Sequence, residues 1–556
     1  MGGAQMESNE MEAQKPSSYN GLTLVRARKI RSRHGHSVDA IVIGSGKVVA
    51  AGTAENLTER FSVEETIDLE GFLFPGFNDA HAHPVMAAEN LLHLDCSPNR
   101  MSSREDLVAS LRNESLAIGP DDWVVGTQFD PAKSGPGIGL DKHLLDACVP
   151  DRPALVIHVS GHWGVLNTLG LASAGLNSNS TDPPGGRLGR TVTGELDGVV
   201  HEQALFDIAY PAAARGGRAV IPPASVAHRT KALKSVIRSF NAAGLTSVCD
   251  ALCGPKDLEL LQTMRIRGEL SMRFNVLLAH QYLDDLEKIG LKSGFGDSRL
   301  RILGIKMFLD GACAGGTCWV DEPFVGTDSH GIQTMAAGEV ENLLQRANNA
   351  GIVVAAHANG DRAIRLLLDA HAKVSNRAVS IRHRIEHCSI TDDDILRRMK
   401  KLGLVAIPFG SYPRFHGENL VQYYGSGRLE HMFAHRSFID QGIPVAGSSD
   451  HPCGPFEPLY SIASCVERLS VDRAEVGLSQ RITAAEAISM YTAGSAYATG
   501  EEGVKGTLTS GQLADFVELA EDPLAIDPSR IADIPVLSTW IGGTRVYPSR
   551  DDLVQG

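Results

Sequence analysis

The chain has 556 residues, 43% hydrophobic and 21% charged, which is the balance of a folded globular protein and too long for one small module. Its 52 Lys and Arg against 66 Asp and Glu leave a formal charge of −14, which argues against nucleic acid or an anionic membrane as the main partner. No run approaches about 18 consecutive apolar residues, so no membrane-spanning helix is expected, and the N-terminus lacks the apolar stretch of a secretory signal.

Residues 1–20 are polar and featureless and read as a flexible tail. Glycine-punctuated β-like runs follow at 21–30, 39–52 and 66–77, and similar runs return only at 506–519 and 535–548. Strands at both ends predict one small β-sandwich domain made of 21–75 plus 500–556. Between them, short apolar runs alternate with helical stretches. Eight strand candidates lie at 73–83, 245–250, 273–280, 302–311, 352–360, 380–388, 404–409 and 443–450. Helical stretches such as 340–351 and 392–403 each close on a glycine. Eight such units predict a (β/α)8 TIM barrel over 76–499, of class α/β. The first two strands are about 160 residues apart, far beyond an ordinary connection, so an inserted lobe at about 90–235 is expected over the barrel mouth.

Nine cysteines, an odd number scattered without modular spacing, argue against a disulfide framework and for a reducing, cytoplasmic setting. The histidines carry more information. Active sites of such barrels lie at the C-terminal ends of the strands. His81 and His83, two apart on one strand, project to the same side as a two-point metal grip. Lys306, His357, His387 and Asp450 fall at or near the ends of four further strand candidates. This recurrence is hard to reconcile with chance.

The segments FPGFNDAHAH, KMFLDGACAGG, HANGDRA, RIEHC and GSSDHPCGPFEPL together resemble the amidohydrolase superfamily, and within it the YtcJ-like amidohydrolase family 3 branch that includes N-substituted formamide deformylases. The resemblance implies two zinc ions per chain, with a single ion or another divalent metal as alternatives, and a water activated to hydroxide near neutral pH. It places His81, His83 and Asp450 on the more buried ion and His357 and His387 on the second, with Lys306 as an N6-carboxylated bridge. Asp450 is also the expected catalytic proton carrier. Asp361 is a candidate for fixing the loop of His357, and His158 and His162 for reaching substrate from the lobe. Cys96 is the alternative bridge.

The function expected is that of a metal-dependent amidohydrolase cleaving a linear amide or N-formyl-type small molecule. A cyclic amide, lactam or carbamate hydrolase is one alternative. A non-catalytic ligand-binding or regulatory protein on the same fold is the other, and its mark would be the loss of ligands. Oligomeric state is left open, with a homodimer as one option.

Overall fold

A computed structural model of the protein describes residues 21–32, 38–119, 122–134, 138–374 and 381–549. The expected tail, 1–20, lies outside the described residues. The centre is a parallel sheet of seven strands: β1 (Phe77–Ala82), β2 (Leu245–Cys253), β3 (Arg273–Ala279), β4 (Leu300–Phe308), β5 (Val353–Ala358), β6 (Arg384–His387) and β7 (Val405–Pro408). Neighbours in sequence are neighbours in space, from β1 to β7, the order of a barrel wall. β2 and β3 are buried along their whole length, as strands covered on both faces must be.

The eighth expected strand, 443–450, is not a regular strand, and this corrects the count. The segment still closes the wall. The Ala406 N–H donates to Pro444 O at 2.9 Å and the Gly410 N–H to Ser448 O at 3.0 Å on the β7 side. The Ala80 N–H donates to Gly447 O at 3.0 Å, and the Asp450 N–H to His81 O at 2.9 Å, on the β1 side. The ladder is interrupted because Pro444 has no N–H to give and the Gly447 N–H turns away to Met490 O at 3.0 Å.

Helices cover the outside. The expected helical stretches form as Ala337–Ala350 and Asp393–Leu402, which end on Gly351 and Gly403 in the left-handed conformation. Asp392 starts the second by accepting the Ile395 N–H at 2.8 Å. Alternation along the strands sorts the side chains. On β4, Ile305 and Met307 join the helix-packed core, and Lys306 between them faces the interior beside His81.

The terminal runs meet in one hydrogen-bonded eight-stranded sheet, where Phe516–Leu519 lies antiparallel to Phe72–Pro75. The buried Arg273 at the start of β3 ties this sheet to the barrel by two bonds to Asp515, at 2.6 and 2.7 Å. Between β1 and β2 lies a separate six-stranded sheet drawn from residues 94–202. Helix Val226–Ala242 packs into the barrel core through Leu233, Ile237 and Phe240, so the lobe boundary expected near 235 falls inside a barrel helix.

Candidate metal centre

Six side chains expected at the site are buried at one end of the barrel: His81, His83, Lys306, His357, His387 and Asp450. All but His81 line a single cavity of about 390 Å³, and His81 sits directly beneath it. The ligand atoms of His81, His387 and Asp450 lie within 4.8 Å of one another. His83 Nε2 is 3.2 Å from Asp450 Oδ1, and the His357 ring centroid is 4.6 Å from that of His387.

Strand geometry alone would not put His387 there. On β6, Ile385 points into the outer core, and a period of two would send His387 the same way. Instead φ is +70° at His387 and +44° at Cys388. The left-handed turn brings the imidazole inward and leaves Cys388 in the outer core. Asp450 has φ +55° as well. Such backbone is unfavourable by about 1–3 kcal/mol per residue and tends to collect at functional sites.

The hydrogen bonds set the lone pairs. His81 Nδ1 is paired closely with Glu386 Oε2, which needs the proton on Nδ1. A singly protonated His81 therefore turns the Nε2 lone pair towards Asp450 Oδ1, 3.2 Å away. Two acceptors facing each other are repulsive unless a proton or a metal cation lies between them. Among the described residues, His83 Nδ1 and His387 Nδ1 are buried with no hydrogen-bond partner. His357 Nε2 is 3.0 Å from both the Gly311 carbonyl and Asn359 Nδ2; with its proton on Nε2 it donates to the carbonyl and keeps a lone pair on Nδ1. This donor set, imidazole nitrogens and one carboxylate, fits a borderline divalent ion such as zinc.

Burial dominates the electrostatics. It lowers His83 to about 4 and holds His357 and His387 well below the usual histidine range, so all three are neutral near pH 7. Burial opposes charge on Asp450 too, but bonds from His81 and His83 and the nearby imidazoles outweigh it and keep the carboxylate well below its ordinary value. Burial brings Lys306 down to about 8. Its Nζ is 3.5 Å from His81 Nε2 and forms no ion pair among the described residues.

The lobe reaches the same cavity through His162. Its Nδ1 donates to Glu202 Oε2 at 2.6 Å, and its ring centroid is 5.0 Å from that of His357. The Thr317 hydroxyl donates to Glu202 Oε1 at 2.9 Å. Gly311 permits this approach, since a Cβ there would stand 2.4 Å from Glu202 Oε1. His158 does not line the cavity. It bonds Ser160 Oγ at 2.8 Å and stacks on Trp163.

Asp361 is also elsewhere: it accepts the Asp321 N–H at 2.9 Å. The loop after His357 is held by Asp310, which accepts the Asn359 N–H at 3.0 Å and the Gly360 N–H at 2.7 Å. Cys96 lies in the core of the lobe, and burial raises its thiol to about 12, so it is not placed to bridge metals. Sequence reasoning missed Glu386, Arg384, Glu202, Asp310 and Tyr412, whose hydroxyl donates to Asp450 Oδ2 at 3.1 Å. Glu386 and Asp310 sit inside the RIEHC and KMFLDG segments already singled out, and that proximity was the available signal.

A sequence model of the family described as "Amidohydrolase family" matches residues 65–547. The chain is similar to YtcJ of Bacillus subtilis (strain 168), 29% identical over 531 residues, covering 92% of this chain and 96% of that one. It is similar to the N-substituted formamide deformylase of Arthrobacter pascens, 27% identical over 526 residues, covering 91% of this chain and 94% of the other. In fold it resembles a metal-dependent hydrolase from Pyrococcus horikoshii, with a TM-score of 0.73 at 24% identity over 92% of this chain and 99% of that one.

Proposed function

The chain belongs to the amidohydrolase family and is a hydrolase of carbon–nitrogen bonds, and from that premise we propose that its substrate is a linear amide or N-formyl-type small molecule, cleaved with zinc bound in the barrel cavity. We assign His81, His83 and Asp450 to one ion and His357 and His387 to a second, with N6-carboxylated Lys306 between them. One observation carries the assignment. The Nε2 of His81 faces Asp450 Oδ1 at 3.2 Å, while the Nδ1 of His81 is already committed to Glu386.

When bound, the metal supplies Lewis acidity, polarising the scissile carbonyl and lowering the pKa of water towards ~7. The chain's own groups do the rest. Asp450 is ionised, with Oδ1 turned to the histidines and Oδ2 held by Tyr412. That carboxylate takes the proton of the attacking water and delivers it to the departing nitrogen. Tyr412, kept neutral by burial, holds the carboxylate in place. His162, oriented by Glu202, touches substrate from the lobe side. Phe206 and Phe308 wall the same cavity and limit bulk water, which strengthens the polar contacts inside.

The test is hydrolysis of a panel of linear amides, N-formyl compounds, lactams and carbamates by zinc-loaded and chelated protein, with metal analysis of both. Linear substrates turned over by the loaded protein and not by the chelated one, with metal approaching two per chain, are expected. His81→Ala and His83→Ala lose metal and activity together. Full activity without metal, or turnover of cyclic substrates alone, overturns the reading. A stable one-metal enzyme corrects the count only.

A further inference from the structure

A second, larger cavity of about 990 Å³ lies beside the metal-site cavity, between the lobe and the barrel. The two adjoin, since Met86, Tyr210 and Leu252 line both. Its walls are mostly apolar: Val85 from the barrel side, and Val125, Ile157, Ala209 and Ile221 from the lobe and the segment after it. About 130 Å³ of it is reachable by the centre of a water-sized sphere, many times the roughly 10–15 Å³ that a single water needs, so the space is too generous for a one-carbon group.

The charged groups on its rim are already satisfied. Arg229 is clamped between Glu89 and Asp257, and Lys256 pairs with Glu259 at 2.9 Å. His93 is lowered to about 4 by burial and is neutral near pH 7. Nothing on the wall calls for a charged ligand, and an ion would lose its hydration without return.

We propose that this cavity is the binding site for a bulky, neutral, apolar substituent of the substrate, whose amide group reaches the metal centre past Met86, Tyr210 and Leu252. The proposal rests on the amide-hydrolase reading above and narrows it. Substrates are amides with one long alkyl or aryl arm, and the lobe selects them. Burial of the arm contributes about fourfold in kcat/KM per methylene group until the cavity is filled.

The experiment uses two series with the zinc-loaded full chain: N-alkyl formamides from methyl to hexyl, and N-methyl amides from formyl to hexanoyl. A rise of about fourfold per carbon in one series identifies which arm enters. Ala209→Trp and, as a second filling variant, Ile221→Trp flatten that rise, with the fold checked by circular dichroism. Flat profiles for the wild type in both series overturn the proposal, as does a rise that survives both folded variants. If neither series is hydrolysed at all, the amide reading fails, and the cavity is judged by saturation-transfer NMR of hexan-1-ol. Binding that both variants abolish supports the cavity; no binding to the wild type overturns it.

Discussion

His162 Nδ1 and Glu202 Oε2 lie 2.6 Å apart, both from the segment inserted after the first barrel strand, and they set an imidazole against the metal centre. The carboxylate is fully buried and its backbone is strained, at φ +51° and ψ −123°. Burial disfavours charge on His162, but Glu202 outweighs it and raises the imidazole pKa above its usual value. Holding such a pair at the cavity wall makes sense if the ring must meet substrate in one orientation.

Glu202→Gln keeps the shape and removes the charge. It should lower kcat/KM about 10–100-fold while leaving metal content unchanged. Steady-state kinetics and metal analysis of the same preparation check this. Unchanged kinetics would leave the pair with a purely structural role.

Glu386 is held on one side by Arg384, at 2.7 Å from each carboxylate oxygen, and on the other by His81. Neither residue of the ion pair has any solvent exposure. Glu386→Gln strands a buried guanidinium and should destabilise the protein by about 3–5 kcal/mol. Arg384→Met with Glu386→Gln should recover much of that stability. Both variants should lose metal affinity about 10–100-fold, because His81 is no longer oriented. Urea unfolding and metal titration separate the two effects. Equal stability of the single and double variants contradicts the pairing argument.

Lys306 has no acidic partner among the described residues, and burial already disfavours its ammonium form. A free amine there is the form that reacts with carbon dioxide, and metal binding and carboxylation should support each other. Lys306→Ala should lower metal occupancy and activity by orders of magnitude, and short-chain carboxylates should restore part of both. Near-normal turnover with two bound metals in that variant would remove Lys306 from the centre.

Acid should unfold the metal-free protein well above the pH of ordinary carboxylate titration. His83, His93, His201 and His451 are lowered to about 4, and His158 and His435 to about 3, in each case mainly by burial. Below an unfolded value of about 6.5, the unfolded chain binds protons that the folded chain refuses, so stability falls as pH drops from 6.5 towards 4. Burial raises Asp79 to about 6 and Asp250 and Asp310 to about 7, and these three act in the opposite sense over the same window. His357 and His387 are held lower still, so the lowered histidines outnumber these three carboxylates and the net effect of acid is destabilising. Urea midpoints of chelated protein at pH 7, 6 and 5 should fall steeply, and a flat series would show that these imidazoles are protonated in the fold.

Much of this was legible in local pattern. A strand repeats every two residues and a helix every 3.6, so the βα alternation and the glycine-capped helices at 340–351 and 392–403 could be read directly. The pair His81 and His83 could be read the same way, since its spacing is a property of one strand. The eighth wall segment is less regular than its composition suggests. Apolar residues at 443–446 mark a wall segment, but its ladder is interrupted partly by Met490, whose carbonyl takes the Gly447 N–H and is remote in sequence.

What the sequence by itself determined is the alternating architecture and the residue types able to hold a metal, because both rest on short-range periodicity. The tertiary structure decided which of those residues meet. Asp361 and His158 had suitable chemistry but were drawn into a turn and a stacked pair, whereas Glu386 was brought to His81 across 305 residues. His387 faces the cavity only because its backbone departs from the period that made its strand readable. The lobe's contribution, His162 on Glu202 and the apolar cavity behind them, arises from packing between segments far apart in the chain, and no local spacing encodes such contacts.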